Sequence, residues 1–227
     1  GTVTGGVSEG SGVVLGNLTT GGTLTVADVD SGEAAFLVQA GTAGSNGYGS
    51  FALDAAGNWS YSAGNAQAAI QQLAAGATLT DSFTAVSADG SDSQTVTVTI
   101  TGTNDIPVLG GVVSGGVTED TAVVAGNLVT GGTLTVVDID SGQSSFLAQA
   151  GVTGSHGYGS FDVDTAGNWT YSAANAQAAI HSLAAGATLT DSFVVTSADG
   201  TASQTVTVTI TGSNDLALIG GTVSGGV

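Results

Sequence analysis

The sequence begins again at Gly111, 110 residues after Gly1. GTVTGGVSE at Gly1–Glu9 returns as GVVSGGVTE at Gly111–Glu119, and the match runs without a gap to Asp215. A third start is visible at Gly221–Val227. A repeat of this length is a whole domain, because the units of solenoid proteins run to about 20–50 residues. The sequence therefore predicts tandem domains over residues 1–105 and 111–215, a linker over 106–110, and a linker with the start of a truncated third repeat over 216–227.

The charge balance is one-sided, with 18 Asp plus Glu, no Lys or Arg, and a formal net charge of −18. Contacts with nucleic acid need Lys or Arg at the phosphates, so nucleic acid is excluded as a partner. The same argument opposes direct contact with an anionic membrane surface. Without internal cations, closely spaced carboxylates are left with a metal ion from solution as a charge partner. Cysteine is absent, which excludes disulfides and thiolate sites.

Alternating segments bounded by turns predict an antiparallel β-sandwich of the immunoglobulin-like class. The clearest element of the second copy is a hairpin, in which Tyr158–Val163 and Trp169–Tyr171 flank a turn that contains Gly167. Ser203–Ile210 alternates most strictly, with apolar residues at even positions. The remaining candidate strands are Val112–Thr118, Thr133–Val137, Ser145–Gln149 and Leu189–Thr196. About seven strands in a domain of this size are typical of such a sandwich.

A short helical insertion interrupts the β pattern after the hairpin. Asn175–Gly186 is rich in alanine, which favours helix. Asn175 is a suitable N-cap and Gly186 suits the C′ position. We therefore expect two or three helical turns that pack Ile180 and Leu183 inward.

Carboxylates recur in three clusters that keep their places in both copies, at the entry, after the second strand and at the exit. The entry residues are Glu9, Glu119 and Asp120, the middle ones Asp28, Asp30, Asp138 and Asp140, and the exit ones Asn104, Asp105, Asn214 and Asp215. Two carboxylates about 4 Å apart repel by roughly 4 kcal/mol at an effective dielectric constant near 20. Calcium prefers six to eight oxygen ligands from carboxylates, amides and carbonyls. The pattern therefore predicts Ca²⁺ binding, although isolated Asp-Ser-Gly and Asn-Asp segments are also ordinary turn chemistry.

The junction between the copies is the expected centre of that site. Asn104–Asp105 ends one copy, Glu119 opens the next, and the loop with Asp138 and Asp140 can lie at the same pole. All three clusters would then meet there. On this view the entry of the first copy and the exit of the second bind calcium more weakly, because each lacks a neighbouring copy.

Both copies resemble the VCBS repeat of giant RTX-type adhesins and biofilm proteins of bacteria. The matching motifs are Gly-x-Leu-x-x-Gly-Gly-Thr-Leu-Thr-Val, Asp-x-Asp-Ser-Gly, Tyr-Gly-Ser-Phe, Ala-Gly-Asn-Trp-x-Tyr, Leu-Thr-Asp-Ser-Phe and Thr-Val-Thr-Val-Thr-Ile-Thr-Gly-x-Asn-Asp. The resemblance covers essentially the whole chain. It implies an all-β fold of two tandem Ig-like or cadherin-like sandwiches, type I secretion, display outside the cell on the bacterial surface, and linkers made rigid by calcium.

The junction is also similar to that of cadherins, where a Glu, an Asp-x-Asp and an Asn-Asp segment gather calcium. Carried over by position, the resemblance implicates Glu119, Asp138, Asp140, Asn104 and Asp105. In one departure, the first copy has Gly10 where the second has Asp120. The entry site of the first copy is therefore expected to hold calcium less well.

The resulting functional hypothesis is a calcium-stabilised extender that projects the binding region of an adhesin in cell adhesion or biofilm formation, with neighbouring repeats as its partners. An enzyme is not expected, because His156 and His181 are replaced by Asn46 and Gln71 in the first copy. Both histidines are expected at the surface. The alternatives are a carbohydrate- or protein-binding module that acts by avidity and homotypic cell–cell contact. Two tryptophans are available for core packing or for a sugar-binding platform.

Overall fold

The structure, a computed structural model, describes residues 1–221 of the chain. These residues form two units. The first comprises Gly1–Asp105 together with Ile139–Gly142, and the second comprises Ile106–Asp138 together with the described residues from Gln143 onward. The prediction that concerns residues 222–227, the start of a third repeat, lies outside the described residues.

The first unit is built from two sheets of alternating strands. One sheet has the order β1-β7-β6 and the other the order β2-β5-β4-β3. The elements are β1 Thr4–Ser8, β2 Asn17–Thr23, β3 Gln39–Ala43, β4 Ser50–Leu53, β5 Asn58–Gly64, α1 Ala68–Gln71, β6 Thr78–Val86 and β7 Ser93–Thr101. The alternation of side chains across a strand is clearest in β7, where the valines and the isoleucine are buried and the threonines are not. This alternation gives the strand one apolar face toward the core.

The second unit repeats this arrangement and adds one strand. Its sheets have the orders β14-β15-β9 and β11-β12-β13-β10-β8. The elements are β8 Val108–Gly111, β9 Ser114–Thr118, β10 Asn127–Val137, β11 Gln149–Thr153, β12 Ser160–Val163, β13 Asn168–Ala174, α2 Ala178–His181, β14 Thr188–Thr196 and β15 Ser203–Thr211. The added strand is β8, which pairs with the end of β10.

The core of each unit lies between its two sheets, as the sandwich prediction requires. In the first unit the rings of Phe51 on β4 and Phe83 on β6 stack with their centroids 4.6 Å apart. Trp59 and Trp169 are buried, and each indole N–H donates to a backbone carbonyl at 2.8 Å. The tryptophans therefore serve core packing and cannot form an exposed platform for sugars.

The first and last strands of each unit are parallel neighbours. β1 pairs with β7 from Thr4 opposite Thr97 to Ser8 opposite Thr101. β9 pairs with β15 in the same way. Because parallel strands end at the same edge of a sheet, the residues that follow β1 lie beside the residues that follow β7.

The sequence-based hairpin is confirmed, whereas the helix and one strand differ from the prediction. The helix of the second unit is only four residues long, and Asn175 does not cap it, because its side-chain amide donates to Asp120 instead. Gly186 has a positive φ of 78° but lies in a later turn. Ile180 is buried and Leu183 packs against the core, as expected. The predicted strand Ser145–Gln149 is wrong in position, since β11 begins where that segment ends.

Candidate metal centre

The parallel pairing of β1 and β7 places Glu9 next to the exit segment of its own copy. The Glu9 backbone N–H donates to the carbonyl of Thr101 at 2.9 Å. The side chain of Glu9 is buried, and its Oε2 accepts from the backbone N–H of Thr103 at 3.2 Å. Its Oε1 accepts from the amide of Gln71 at 2.7 Å. Glu9 is thereby held as a buried carboxylate at the edge of the first unit.

Two further carboxylates of the first unit lie near Glu9. The backbone N–H of Asp105 donates to Oδ2 of Asp140 at 2.9 Å. Asp140 is 1% exposed, and the segment that carries it is held by a hydrogen bond from the Ser141 N–H to the Gln72 carbonyl at 3.0 Å. Three carboxylates from distant parts of the sequence therefore gather in this unit.

The electrostatic cost of this gathering is visible at Glu9. Burial raises the pKa of Glu9 above its ordinary value, the hydrogen bond from Thr103 opposes that rise, and the charges of Asp105 and Asp140 add to it. The chain has no Lys or Arg to balance these charges. The donors are carboxylate oxygens, which fit a hard cation such as Ca²⁺ and do not favour a soft metal.

The second unit has a related cluster with a different composition. Glu119 is buried, and its Oε2 accepts from the backbone N–H of Ser213 at 3.1 Å. Nδ1 of His181 lies 3.2 Å from Oε1 of Glu119 and 3.7 Å from Oδ2 of Asp215. Ligand atoms of Glu119, Asp120, His181 and Asp215 all lie within 4.8 Å of one another. His181 thus stands where the first unit has Gln71.

The structure places the entry glutamate of each copy beside the exit segment of the same copy. Glu9 lies beside Thr103–Asp105 of its own copy, a pairing that the sequence analysis did not propose. Glu119 correspondingly lies with Asp215 of its own copy. The physical reason is the parallel pairing of first and last strands, which no local pattern in the sequence reveals. The junction of Asn104–Asp105 with Glu119 of the following copy stays a prediction.

The remaining predicted ligands have these positions. Asp28, Asp30 and Glu33 place carboxylate oxygens within 4.8 Å of one another in the first unit, and Glu33 had not been singled out in the sequence. The backbone N–H of Asp138 donates to the Ser144 hydroxyl at 3.0 Å. The side-chain amides of Asn104 and Asn214 each donate to the backbone carbonyl of the next residue.

Comparison with known protein families shows which family the chain belongs to. The family described as the bacterial cadherin-like domain matches it twice, over residues 1–102 and 104–212. The chain belongs to the bacterial cadherin-like domain family. No curated protein sequence matches the chain significantly.

Several solved structures are similar to this cadherin-like chain. The protocadherin gammaB7 EC3-6 cis-dimer structure is 14% identical with a TM-score of 0.49, over 94% of this chain and 47% of that one. The protocadherin gammaB4 extracellular domain is 16% identical with a TM-score of 0.43, over 93% and 31%. The human desmocollin-1 ectodomain is 11% identical with a TM-score of 0.42, over 94% and 41%. The chain spans less than half the length of each of these structures.

Cadherin-like repeats are non-enzymatic modules of adhesion-type proteins, and they are typical of the outside of the cell. Both histidines are exposed, as the sequence predicted. No helix in residues 1–221 has the length and apolar character that a membrane span requires.

Each cadherin-like unit also contains a fully buried aspartate whose role the sequence analysis missed. Oδ1 of Asp81 accepts from the backbone N–H of Asn46 at 2.9 Å and of Ser82 at 3.1 Å. Its Oδ2 accepts from the Gly49 N–H at 2.9 Å and from the Tyr61 hydroxyl at 3.3 Å. The sequence does contain a sign of this role, because Asp81 falls at an inward-facing position of β6, in alternation with buried apolar residues.

The second unit repeats this arrangement around Asp191. Asp191 accepts from the backbone N–H groups of His156, Tyr158 and Gly159 and from the Tyr171 hydroxyl. Burial, followed by the charge of the neighbouring aspartate, raises the pKa of the carboxylate-bound tyrosines, Tyr61 and Tyr171. This arrangement fastens the loop before β4 or β12 to the opposite sheet, so its role is structural.

Proposed function

We propose that this chain is a calcium-stabilised extender of a large bacterial cell-surface adhesin, which projects a distal binding region in cell adhesion or biofilm formation. The observation that carries the proposal is the gathering of Glu9, Asp105 and Asp140 in a chain without Lys or Arg. The resemblance to VCBS repeats of RTX-type adhesins supports type I secretion and bacterial surface display as parts of the same proposal. Membership of the cadherin-like family supports calcium as the cation.

Calcium binding would add stability chiefly outside the cell. Extracellular calcium modules have dissociation constants of about 10⁻⁴–10⁻³ M, so they bind little calcium at cytosolic concentrations. A free ion at about 100 times its dissociation constant stabilises the folded state by roughly 2.7 kcal/mol per site. For a domain of this size that corresponds to a rise in melting temperature of about 10 °C or more. The repeats would thus become resistant to unfolding after export.

Thermal unfolding with calcium and with a chelator tests the proposal. We expect the full chain to melt at a higher temperature with millimolar calcium than with EGTA. Glu9→Gln and Asp140→Asn should each reduce that difference, because each removes a charged ligand. Asp162→Asn is the matched control, since Asp162 is an exposed carboxylate whose Oδ1 accepts from the Gly151 N–H at 2.8 Å. The calcium response of this variant should remain that of the wild type.

Glu119→Gln distinguishes the two clusters. If the second unit also binds calcium, this variant should lose part of the calcium response that Glu9→Gln retains. A melting temperature that is the same with calcium and EGTA would refute calcium stabilisation. An equal loss in Asp162→Asn and Glu9→Gln would show that total charge, and not the site, determines the response.

The alternative of a carbohydrate- or protein-binding module has less support. The buried tryptophans remove the aromatic surface on which a sugar would stack. A glycan array with the full chain would test this alternative directly, and a reproducible signal would favour it over a purely structural role. Homotypic contact would appear in analytical ultracentrifugation as association that requires calcium.

A further inference from the structure

The two copies hold the entry glutamate by different side chains. In the first unit, Oε1 of Glu9 accepts a hydrogen bond from the Gln71 amide at 2.7 Å. In the second unit an imidazole takes the place of that amide, since Nδ1 of His181 lies 3.2 Å from Oε1 of Glu119. An amide nitrogen only donates hydrogen bonds, whereas an imidazole nitrogen is also a metal ligand. The second unit therefore has a chemical option here that the first unit lacks.

The fold holds Glu119 and His181 in place. Glu119 is fully buried, and its Oε2 accepts from the backbone N–H of Ser213 at 3.1 Å. His181 ends the helix α2, which is anchored in the core by the buried Ile180. The backbone N–H of His181 donates to the carbonyl of Gln177 at 2.8 Å. Two side chains carried by fixed backbone in this way are preorganised to share one ion.

The differences between the copies concentrate at this place. Four residues of metal-binding type in the second copy replace residues of other types in the first, and they are Asp120, His156, Asp162 and His181. Asp120 replaces Gly10 and His181 replaces Gln71. The ligand atoms of both lie within 4.8 Å of those of Glu119 and Asp215. Two separate substitutions have thus each added a ligand to the same group, which we call the Glu119 cluster (Glu119, Asp120, His181 and Asp215).

The distances within the Glu119 cluster suit a small cation. Nδ1 of His181 lies 3.2 Å from Oε1 of Glu119 and 3.7 Å from Oδ2 of Asp215. A tetrahedral ion with ligand bonds of about 2.0–2.2 Å separates its ligand atoms by about 3.4 Å. The Asp120 carboxylate is oriented by the Asn175 amide, which donates to its Oδ1 at 2.6 Å. Outer hydrogen bonds of this kind orient the carboxylates that bind metals.

The nitrogen ligand determines which cation the cluster favours. Calcium and magnesium take oxygen ligands. An imidazole together with carboxylates suits Zn²⁺ and other divalent transition metals. The Glu119 cluster therefore departs from the calcium chemistry of the all-oxygen group formed by Glu9, Asp105 and Asp140 in the first unit.

We propose that the Glu119 cluster is a Zn²⁺ site, in which His181 supplies the nitrogen ligand and the carboxylates supply oxygen ligands. The second unit then responds to a transition metal, whereas the first responds to calcium. Zinc stabilises the folded second unit by mass action, as does any ligand that binds only the folded state. This inference goes beyond the extender function and does not require calcium at the second unit.

Calorimetric titration of ZnCl₂ into the full chain, in saturating calcium at neutral pH, tests the proposal. We expect zinc binding that His181→Gln weakens at least about tenfold, because even the loss of an outer hydrogen bond to a metal ligand costs about 10–100-fold in affinity. Asp120→Gly should also weaken it. Each of these variants carries the residue of the first copy, as does the matched control His156→Asn. The control removes the other histidine and should bind zinc as tightly as the wild type.

Proton NMR gives an independent measurement, because the chain has only two histidines. Zinc should shift or broaden the imidazole signals of His181 and leave those of His156, which the His156→Asn variant identifies. Equal zinc affinity in the wild type and His181→Gln would overturn the proposal, and so would an equal response of both imidazoles. If His181 only forms ion pairs with the carboxylates, neither measurement will show specific zinc binding, which also refutes it. Calcium stays saturating throughout, so this proposal can fail while the extender proposal stands.

Discussion

Replacing Asp81 by Asn should destabilise the first unit strongly, although the two side chains have nearly the same shape. The carboxylate of Asp81 is fully buried and accepts four hydrogen bonds, two at each oxygen. Asn has a single acceptor oxygen, and its amide group would face donors where the second carboxylate oxygen was. The Tyr61 hydroxyl can rotate to accept from that amide, but the Gly49 N–H cannot change its role.

The expected loss of folding free energy follows from the number of hydrogen bonds that the substitution breaks or weakens. One buried N–H without an acceptor costs about 1–3 kcal/mol, and the bonds that remain lose charge assistance, which is roughly 1 kcal/mol each. The neutral side chain no longer requires a charge to be desolvated, which offsets part of the loss. We therefore expect a loss of about 3 kcal/mol, or roughly a hundredfold in the unfolding equilibrium, at about 1.4 kcal/mol per tenfold.

Hydrogen exchange read by mass spectrometry is a suitable assay, because it reports each unit separately in the full chain. In Asp81→Asn, peptides that contain Gly44–Gly49 and β6 should exchange faster than in the wild type, while the second unit keeps its rates. Asp191→Asn should give the converse result. Asp162→Asn controls for charge. Unchanged exchange at Gly44–Gly49 in Asp81→Asn would refute the idea that the buried carboxylate holds this loop.

Three further predictions concern the same unit or its charges. Gly44→Ala should lose at least about 3 kcal/mol by urea unfolding, because its Cβ would lie 2.0 Å from the Asp81 carboxylate, whereas Gly6→Ala, with its nearest neighbour at 4.0 Å, should be nearly neutral. The Ser87 hydroxyl, with help from Ser91, lowers the pKa of Asp89 from 3.8 to about 2. The stabilising effect of the ionised carboxylate is therefore lost progressively as the pH falls from about 4 to about 2, and in an NMR titration Ser87→Ala should raise that pKa towards 3.8. The carboxylate-bound tyrosines should stay protonated near pH 11, where an ordinary tyrosine with a pKa of about 10 ionises, so ultraviolet absorbance should show incomplete phenolate formation until the protein unfolds.

The strands were predictable where one local pattern decided them. The hairpin around Gly167 follows from the alternation of apolar and polar residues in its two strands and from a glycine in its turn, which adopts a positive φ of 87°. Both features depend on neighbouring residues only. The helix was overestimated because Asn175 makes a contact with Asp120, 55 residues away, which competes with capping. A long-range contact of this kind leaves no trace in the local pattern.

The candidate metal centre was predictable in its chemistry and less so in its partners. The recurring carboxylates in a chain without cations identified Glu9, Asp105 and Asp140 as candidates. Their actual grouping depends on the parallel pairing of β1 with β7, which joins residues more than ninety positions apart. A carboxylate in an apolar stripe is destabilising unless hydrogen-bond donors surround it. The role of Asp81 was missed because its donors lie in the loop around Asn46, and the sequence does not show that this loop folds over it.

The parallel pairing of the first and last strands also has a mechanical consequence. If a chain of such repeats is pulled at its two ends, β1 and β7 are drawn in opposite directions along their common axis. The backbone hydrogen bonds of all five residue pairs between them are then loaded at once in shear, instead of being opened one after another as in an unzipping hairpin. The same geometry recurs between β9 and β15, so each repeat places a shear-resistant pair of strands directly between the points where tension enters and leaves it.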